Sequence, residues 1–514
     1  MARPRTTVLG FDGLSMIFLN YAMDKGYMPY LSNNKNKFIF RDMYCIPPLT
    51  PPSWTSIMTG VNPGKHGIFH FFKYRWASDG LKTEPVTALD LEHPRIHEAL
   101  ALAGSNIKSI IINPIPSYPV LPVKNSVIMS IEFFTPKPSS HPKDVLNKYF
   151  SGSDLETLIS TSKMGCKSMI SLSAKKIELY ISFAERALRE DHDLIWLNTH
   201  IPDEVFHICR RNIHKPKLFA KIFKSMDALI KTLNDDSEVF LIVSDHGFRY
   251  FSKFINVNRI LFIHGYLSPV EDSRCTVGAK SHLLKIRRQI SKEIYKIIKK
   301  NAFLSSIARN FFIVFNKFLS KTSMPMVLNV GHNINLVSSN AFPIYDMFIL
   351  LKTKNVAERE TLVNLLSRYG ITIYKPEDIF SGPFISRCPD LILVYNDSSY
   401  PGIGNVYSRE IEKRYIAHHS KFGVFIARVN EIIDQGKMDY FLPRVVPNTL
   451  PTPFVLKLLN SSISHVTDNL ILLKRLFKNV KLANVVGKWK IYKRVLMYRK
   501  KLQSSNFDKT SIHC

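Results

Sequence analysis

The 514-residue chain reads as an α/β protein with a central, mostly parallel sheet, helices on both faces and a basic helical insertion. Three observations predict this. Short apolar runs recur along the chain. Several are apolar almost throughout, as strands buried on both faces are, rather than alternating. Helical periodicity returns between successive runs, the pattern of strand-helix-strand units.

In chain order, TTVLGF (6–11) is the first such run and KSIIIN (108–113) a second. SAKKIELYISFAERALRE (173–190) predicts a helix leading into the run DLIWLN (193–198). KLFAKIFKSMDALIKTL (217–233) predicts another, leading into EVFLIVS (238–244), and DLILVY (390–395) is the last run. After the loop PPLTPPSW, the segment WTSIMTG reads as a helix start with Ser53 as its N-cap. Two regions break the rhythm. Residues 266–330 contain SHLLKIRRQISKEIYKIIKKNAFLSSIARNFFIVFNKFL, basic, amphipathic and helical in pattern. Residues 471–514 form a basic extension almost without acids. The expected division is a main domain of 1–265 and 331–470, an insertion at 266–330 and the extension. A chain of this length exceeds the usual single core, so one large domain with additions is the expected form.

Composition narrows the partners. Lys and Arg number 70 against 41 Asp and Glu, a net charge of +29. Such a field attracts anions: phosphoesters, nucleic acid or an acidic membrane surface. General solubility would show the same excess. No nucleic-acid-binding motif appears, so no specific nucleic acid is expected. The basic stretches read either as solvated helical faces or as a surface for peripheral contact with an acidic membrane. Cys45, Cys166, Cys209, Cys275, Cys388 and Cys514 are scattered without a C-x-x-C pair, which predicts free thiols and no cysteine zinc site. MARPRTTVLGFDG has no apolar signal core, and no stretch reaches the ~18 apolar residues of a spanning helix. The expectation is a soluble, cytoplasmic protein of unknown oligomeric state.

Chemistry-bearing residues sit at the ends of the apolar runs. Asp12 follows TTVLGF, where open α/β sheets bind ligands. Asp245 and His246 end VFLIVSDHG, and Gly247 would permit the turn that lets both reach one ion. Asp203 and His207, in PDEVFH, share a helix face at i, i+4 spacing, a donor set suited to zinc or a similar divalent ion. His419 precedes another apolar run, with His418 as its competitor. Thr50 lies in a loop stiffened by prolines on both sides, and Thr55 and Ser56 offer nearby hydroxyls. A threonine hydroxyl needs a metal to become a useful nucleophile.

Together these segments resemble the alkaline phosphatase superfamily, and within it the type I phosphodiesterase/nucleotide pyrophosphatase branch. GFDG resembles its first metal-Asp motif, and TPPSWTSIMTGVNPGKHGIF its nucleophile motif. PDEVFH resembles the Asp-x-x-x-His element and SDHGF the Asp-His element. EDIFSGPFISRCPDLIL and HSKFGVFIA resemble the segments around the last histidine. The resemblance covers roughly residues 5–465 apart from the insertion. It implies an alkaline phosphatase-like fold and a hydrolase that forms a phospho-threonine intermediate on Thr50, chosen over Thr55 by its distance upstream of Thr59-Gly60. It implies one metal site of Asp12, Asp245, His246 and the Thr50 oxygen, and another of Asp203, His207 and His419. The two divalent ions would be Zn2+, with Mn2+ as the alternative. One departure stands out. The nucleotide pyrophosphatases carry an Asn that binds a phosphate oxygen where this chain has Phe71, which makes Phe71 a substrate-binding candidate and leaves nucleotide specificity open. The substrate class is an anionic phosphoester. A phosphotransferase or mutase on the same fold, a non-catalytic binding protein and a nucleic-acid binder are the competing readings.

Overall fold

The computed structural model describes residues 5–509 except 78–79, 134, 136, 161–164, 270–333, 336–337, 354, 397, 430–434 and 478. The basic insertion predicted at 266–330 thus lies almost wholly outside the described residues.

Nine strands form the central sheet, in the spatial order Val445–Pro447, Ile39–Tyr44, Phe422–Val429, Val239–Val243, Thr6–Asp12, Leu194–Pro202, Ser109–Ile112, Ser126–Ser130 and Ser139–His141. The five from Val239–Val243 to Ser126–Ser130 are mutually parallel. Ser139–His141 runs antiparallel at one edge. Phe422–Val429 runs antiparallel between Val239–Val243 and Ile39–Tyr44.

The inner strands Ser109–Ile112, Val239–Val243 and most of Leu194–Pro202 are apolar because both faces are covered. Successive side chains point to opposite faces. Leu9, Phe11, Ile195, Leu197, Phe240 and Ile242 therefore face one core, against the helices Cys166–Ala187 and Ala220–Asp235. Val8, Leu194, Trp196, Leu241 and Val243 face the other, with Trp54, Ile57 and Phe454. The helix Ala220–Asp235 buries Ile222, Phe223, Met226, Leu229, Ile230 and Leu233, the stripe its spacing predicts. Leu241 is wholly enclosed, and trimming such a residue to Ala costs about 2–5 kcal/mol.

A separate four-stranded antiparallel sheet orders as Ala341–Ile344, Phe348–Leu351, Leu391–Val394 and Thr372–Tyr374. It has its own core, including Leu261, Ile349, Leu362 and Leu391. A third sheet sets Gly247–Asn256 between Ser399–Gly402 and Ile411–Ser420.

Several expectations change. The run at 390–395 is a strand, but of the smaller sheet. The nucleophile-motif helix starts at Thr50, not after Ser53. It spans Thr50–Thr59 with Pro51 and Pro52 in its first turn, where no intrahelical amide partner is lost. Leu49 is its N-cap residue, and the Ser53 hydroxyl instead donates to the Pro47 carbonyl at 2.9 Å. The expectation of free thiols fails at one pair: Cys166 and Cys209 form a disulfide. Such bonds favour oxidising compartments, which weighs against the cytoplasmic expectation. Among the described residues no helix is long and apolar enough to cross a membrane.

Candidate active site

Three neighbouring parallel strands deliver acids at their carboxyl ends. Thr6–Asp12 ends in Asp12 itself. Val239–Val243 runs into Ser244, Asp245 and His246. Leu194–Pro202 gives way at once to the short helix Asp203–Ile208, so Asp203 and His207 share one turn. The fourth contribution comes from Ile411–Ser420, which pairs with Gly247–Asn256 so that His419 lies opposite Phe248.

These residues converge. His246 Nε2 lies 3.4 Å from Asp12 Oδ1 and 3.3 Å from Asp245 Oδ2. Asp203 Oδ2 is 3.4 Å from His207 Nε2, and its Oδ1 is 3.3 Å from His419 Nε2. The two Nε2 atoms of His207 and His419 are 2.7 Å apart. Potential ligand atoms within 4.8 Å of one another form two sets, Asp203-His207-His419 and Asp12-Asp203-His246. Asp203 belongs to both. Gly13, with φ +74°, lets the backbone pass so closely that a Cβ there would meet Asp203 Cβ at 2.8 Å.

A family model for type I phosphodiesterase/nucleotide pyrophosphatase matches residues 6–401. The chain belongs to that family. Among solved structures, the phosphonoacetate hydrolase of Sinorhizobium meliloti 1021 in complex with phosphonoformate shares the fold. Its TM-score is 0.56 at 16% identity, covering 89% of this chain and 96% of that one. Murine ectonucleotide pyrophosphatase/phosphodiesterase 5, in an inactive form with AMP, aligns at TM-score 0.49 and 12% identity, over 90% of this chain and 96% of its own. No curated protein sequence matches the chain. As a type I phosphodiesterase/nucleotide pyrophosphatase family member, the protein is a hydrolase acting on phosphoester bonds at a metal site.

The donor set of this phosphodiesterase-family site fits cations. Asp12 Oδ1, Asp203 Oδ1, Asp245 Oδ2 and His246 Nε2 are buried without hydrogen-bond partners. Three sequestered carboxylates are costly unless something positive joins them. Burial, with repulsion from Asp245 and Asp203, pushes the Asp12 carboxyl far above its usual range. Burial and Asp203 do the same to Asp245. Burial would raise Asp203 as well, but His207, His419 and His246 outweigh it and hold it well below the usual range. Burial keeps His246 far below its ordinary value and brings His207 down to about 4. Neutral imidazole is the ligating form.

The remaining polar contacts orient these groups, as the surroundings of metal ligands do. His419 Nδ1 contacts the Pro48 carbonyl at 2.9 Å and His246 Nδ1 the Gly247 carbonyl at 3.1 Å, turning both Nε2 atoms inward. The indole of Trp54 donates to Asp12 Oδ2 at 3.1 Å, and the Gly13 amide donates to Asp245 Oδ1 at 3.3 Å.

Thr50 opens its helix between these tethers, two residues after Pro48 and four before Trp54, and is buried. The other hydroxyls of the helix are committed elsewhere. Ser53 and Thr55 donate to backbone carbonyls, Ser56 contacts His66 Nε2 at 3.0 Å, and Thr59 donates to the Thr55 carbonyl. Phe71 is half-buried and stacks on Tyr345 with ring centroids 5.6 Å apart. Tyr345, held at φ +40°, precedes Asp346, whose Oδ2 lies 3.8 Å from His418 Nε2. Phe71 lies outside both ligand sets.

Sequence reasoning missed three participants: Trp54, the Pro48 carbonyl and His200. His200 Nε2 lies 3.7 Å from Asp203 Oδ2. Its position three residues before Asp203 was the available signal. Nothing in the sequence marks a backbone carbonyl as a histidine's partner.

Proposed function

We propose that this phosphodiesterase-family protein cleaves its phosphoester by in-line displacement, with Thr50 as nucleophile and two divalent cations held by the paired donor sets. The observation that carries this is Asp203, which belongs to both donor sets, with Asp12 Oδ1, Asp203 Oδ1 and His246 Nε2 buried there without hydrogen-bond partners. Asp12, Asp245, His246 and the Thr50 oxygen would hold one cation, and Asp203, His207 and His419 the other. Bound there, the cations would lower the hydroxyl pKa and neutralise charge on phosphorus and its leaving oxygen. The mixed His-carboxylate set favours zinc, with manganese as the alternative.

Thr50 Oγ1 loses its proton to solvent and forms a bond to phosphorus as the bond to the leaving oxygen breaks, and the departing alkoxide takes up a proton from solvent to leave as the alcohol. Water then attacks the phospho-threonine, the phosphorus-Oγ1 bond breaks, and the proton the water loses restores the Thr50 hydroxyl as phosphate leaves. The short tethers through Pro48 and Trp54 support this role, because they fix the start of the Thr50 helix relative to His419 and Asp12. Phe71 and Tyr345 supply an aromatic wall for the part of the substrate beyond the phosphate. The net charge of +29 draws in anionic esters.

The test is a panel of phosphate mono- and diesters with added zinc, manganese or magnesium, run on wild type and Thr50→Ala. The variant is expected to lose on the order of a thousandfold or more in kcat, and acid quenching of wild type should trap phosphate on Thr50. A variant that turns over at wild-type rate would remove Thr50 from the mechanism. Alcohol and phosphate released without an added acceptor separate hydrolysis from phosphoryl transfer to a second alcohol.

A further inference from the structure

The basic C-terminal segment plays no part in this chemistry, yet it is built into the body. From residue 470 to 509 the chain carries twelve Lys and Arg and a single acid, Asp508. Its last 25 described residues form the helix Val485–Lys509. One face of that helix is fastened down. Trp489 is fully buried and donates to the Leu91 carbonyl at 3.0 Å, and Tyr492 hydrogen-bonds the Pro122 carbonyl. Lys493 Nζ reaches Glu92 Oε2 at 3.1 Å, and Lys488 Nζ the Leu102 carbonyl at 2.9 Å. Trp489, Tyr492 and Leu496 pack with Ile68, Leu91 and Leu121.

The opposite face is presented rigidly to solvent, and its composition is unusual. Ile491 is 64% exposed, Val495 46% and Met497 56%. Lys490 and Arg494 stand exposed among them. Solvated helix faces mix both signs of charge and avoid large aliphatics. This face has cations and aliphatics together, the combination that lies in a bilayer interface.

We infer that the outer face of Val485–Lys509 docks the protein on a membrane surface carrying anionic lipid. Lys490 and Arg494 meet the headgroup charge while Ile491, Val495 and Met497 enter the acyl boundary. Charge alone would suit a nucleic acid equally well, but exposed aliphatics gain nothing against phosphate backbones. Their presence decides for lipid.

The experiment is sedimentation of the full chain with phosphatidylcholine vesicles, with and without phosphatidylserine, across a salt series. Wild type should bind only the anionic vesicles, with affinity falling as salt rises. Ile491→Asp/Val495→Asp should weaken binding about tenfold or more. Lys490→Glu/Arg494→Glu should do the same, and both variants should hydrolyse a water-soluble ester at wild-type rate, which reports that they fold. Equal binding to neutral vesicles, or wild-type binding by the aspartate variant, would overturn the inference. So would displacement from vesicles by single-stranded RNA that the aspartate variant still binds at full strength, which would make the face a nucleic-acid contact.

Discussion

A carboxylate shut away from water is normally pushed up, yet Asp203 is held well below the usual range by interactions with His207, His419 and His246. Asp12 and Asp245, with fewer such neighbours, are pushed the other way. Their hydrogen-bond donors therefore matter individually. Trp54→Phe preserves most of the packing and deletes the donor to Asp12. It should weaken metal binding about 10- to 100-fold while leaving the fold intact, measured by metal titration alongside thermal melting. An unchanged affinity would mean that the indole serves the core only. At this scale much was legible. Asp12, Asp203, Asp245 and His246 each follow an apolar run, and a strand's carboxyl end is where a sheet offers ligands. Trp54 was not legible, because a tryptophan inside an apolar helix looks the same whether its ring nitrogen meets water or an acid.

The helix Cys166–Ala187 braces the Asp203–Ile208 turn from two directions. Lys176 Nζ bonds Glu204 Oε2 at 2.9 Å and lies 3.8 Å from Glu132 Oε1, and the Cys166–Cys209 bond fastens the turn's far end. His207 sits between these two anchors. Cys209→Ser should lower stability by about 2–4 kcal/mol, the usual worth of closing a loop of this size. It should also weaken metal binding at the Asp203-His207-His419 set more than at the Asp12 set. Paired metal titrations and melting of wild type and variant check both; equal weakening of the two sets would reduce the disulfide to a general staple. The pairing was invisible in sequence because 43 residues separate the cysteines, and only the packing of two helices brings them together. The strand at 390–395 misled for a related reason: a short apolar run looks identical whichever sheet buries it. Ser53 misled because prolines at Thr50's back made the helix start earlier than the capping pattern implied.

Away from the candidate site, four histidines among the described residues are fully buried and held uncharged. Burial lowers His66 well below its ordinary value, His70 to about 3, His93 to about 4 and His97 to about 3. Each binds a proton more readily once unfolded. Stability is therefore full above pH ~6.5 and declines as the pH falls from there toward the folded values, by about 1.4 kcal/mol per histidine for each pH unit. Urea unfolding midpoints should hold between pH 7.5 and about 6.5 and fall from there to pH 4.5, and His97→Gln should flatten that slope by one proton. A flat profile would show that these rings are protonated in the folded state.

The antiparallel strand Phe422–Val429 fills the gap between Ile39–Tyr44 and Val239–Val243, and the strand just before it, Ile411–Ser420, carries His419. A ribosome must therefore emit the chain past Val429 before the sheet can close. Until then the emerging polypeptide exposes two unpaired apolar edges in its middle and lacks its last metal-ligand candidate. Through that interval its nascent form depends on whatever shields open strand edges in the cell.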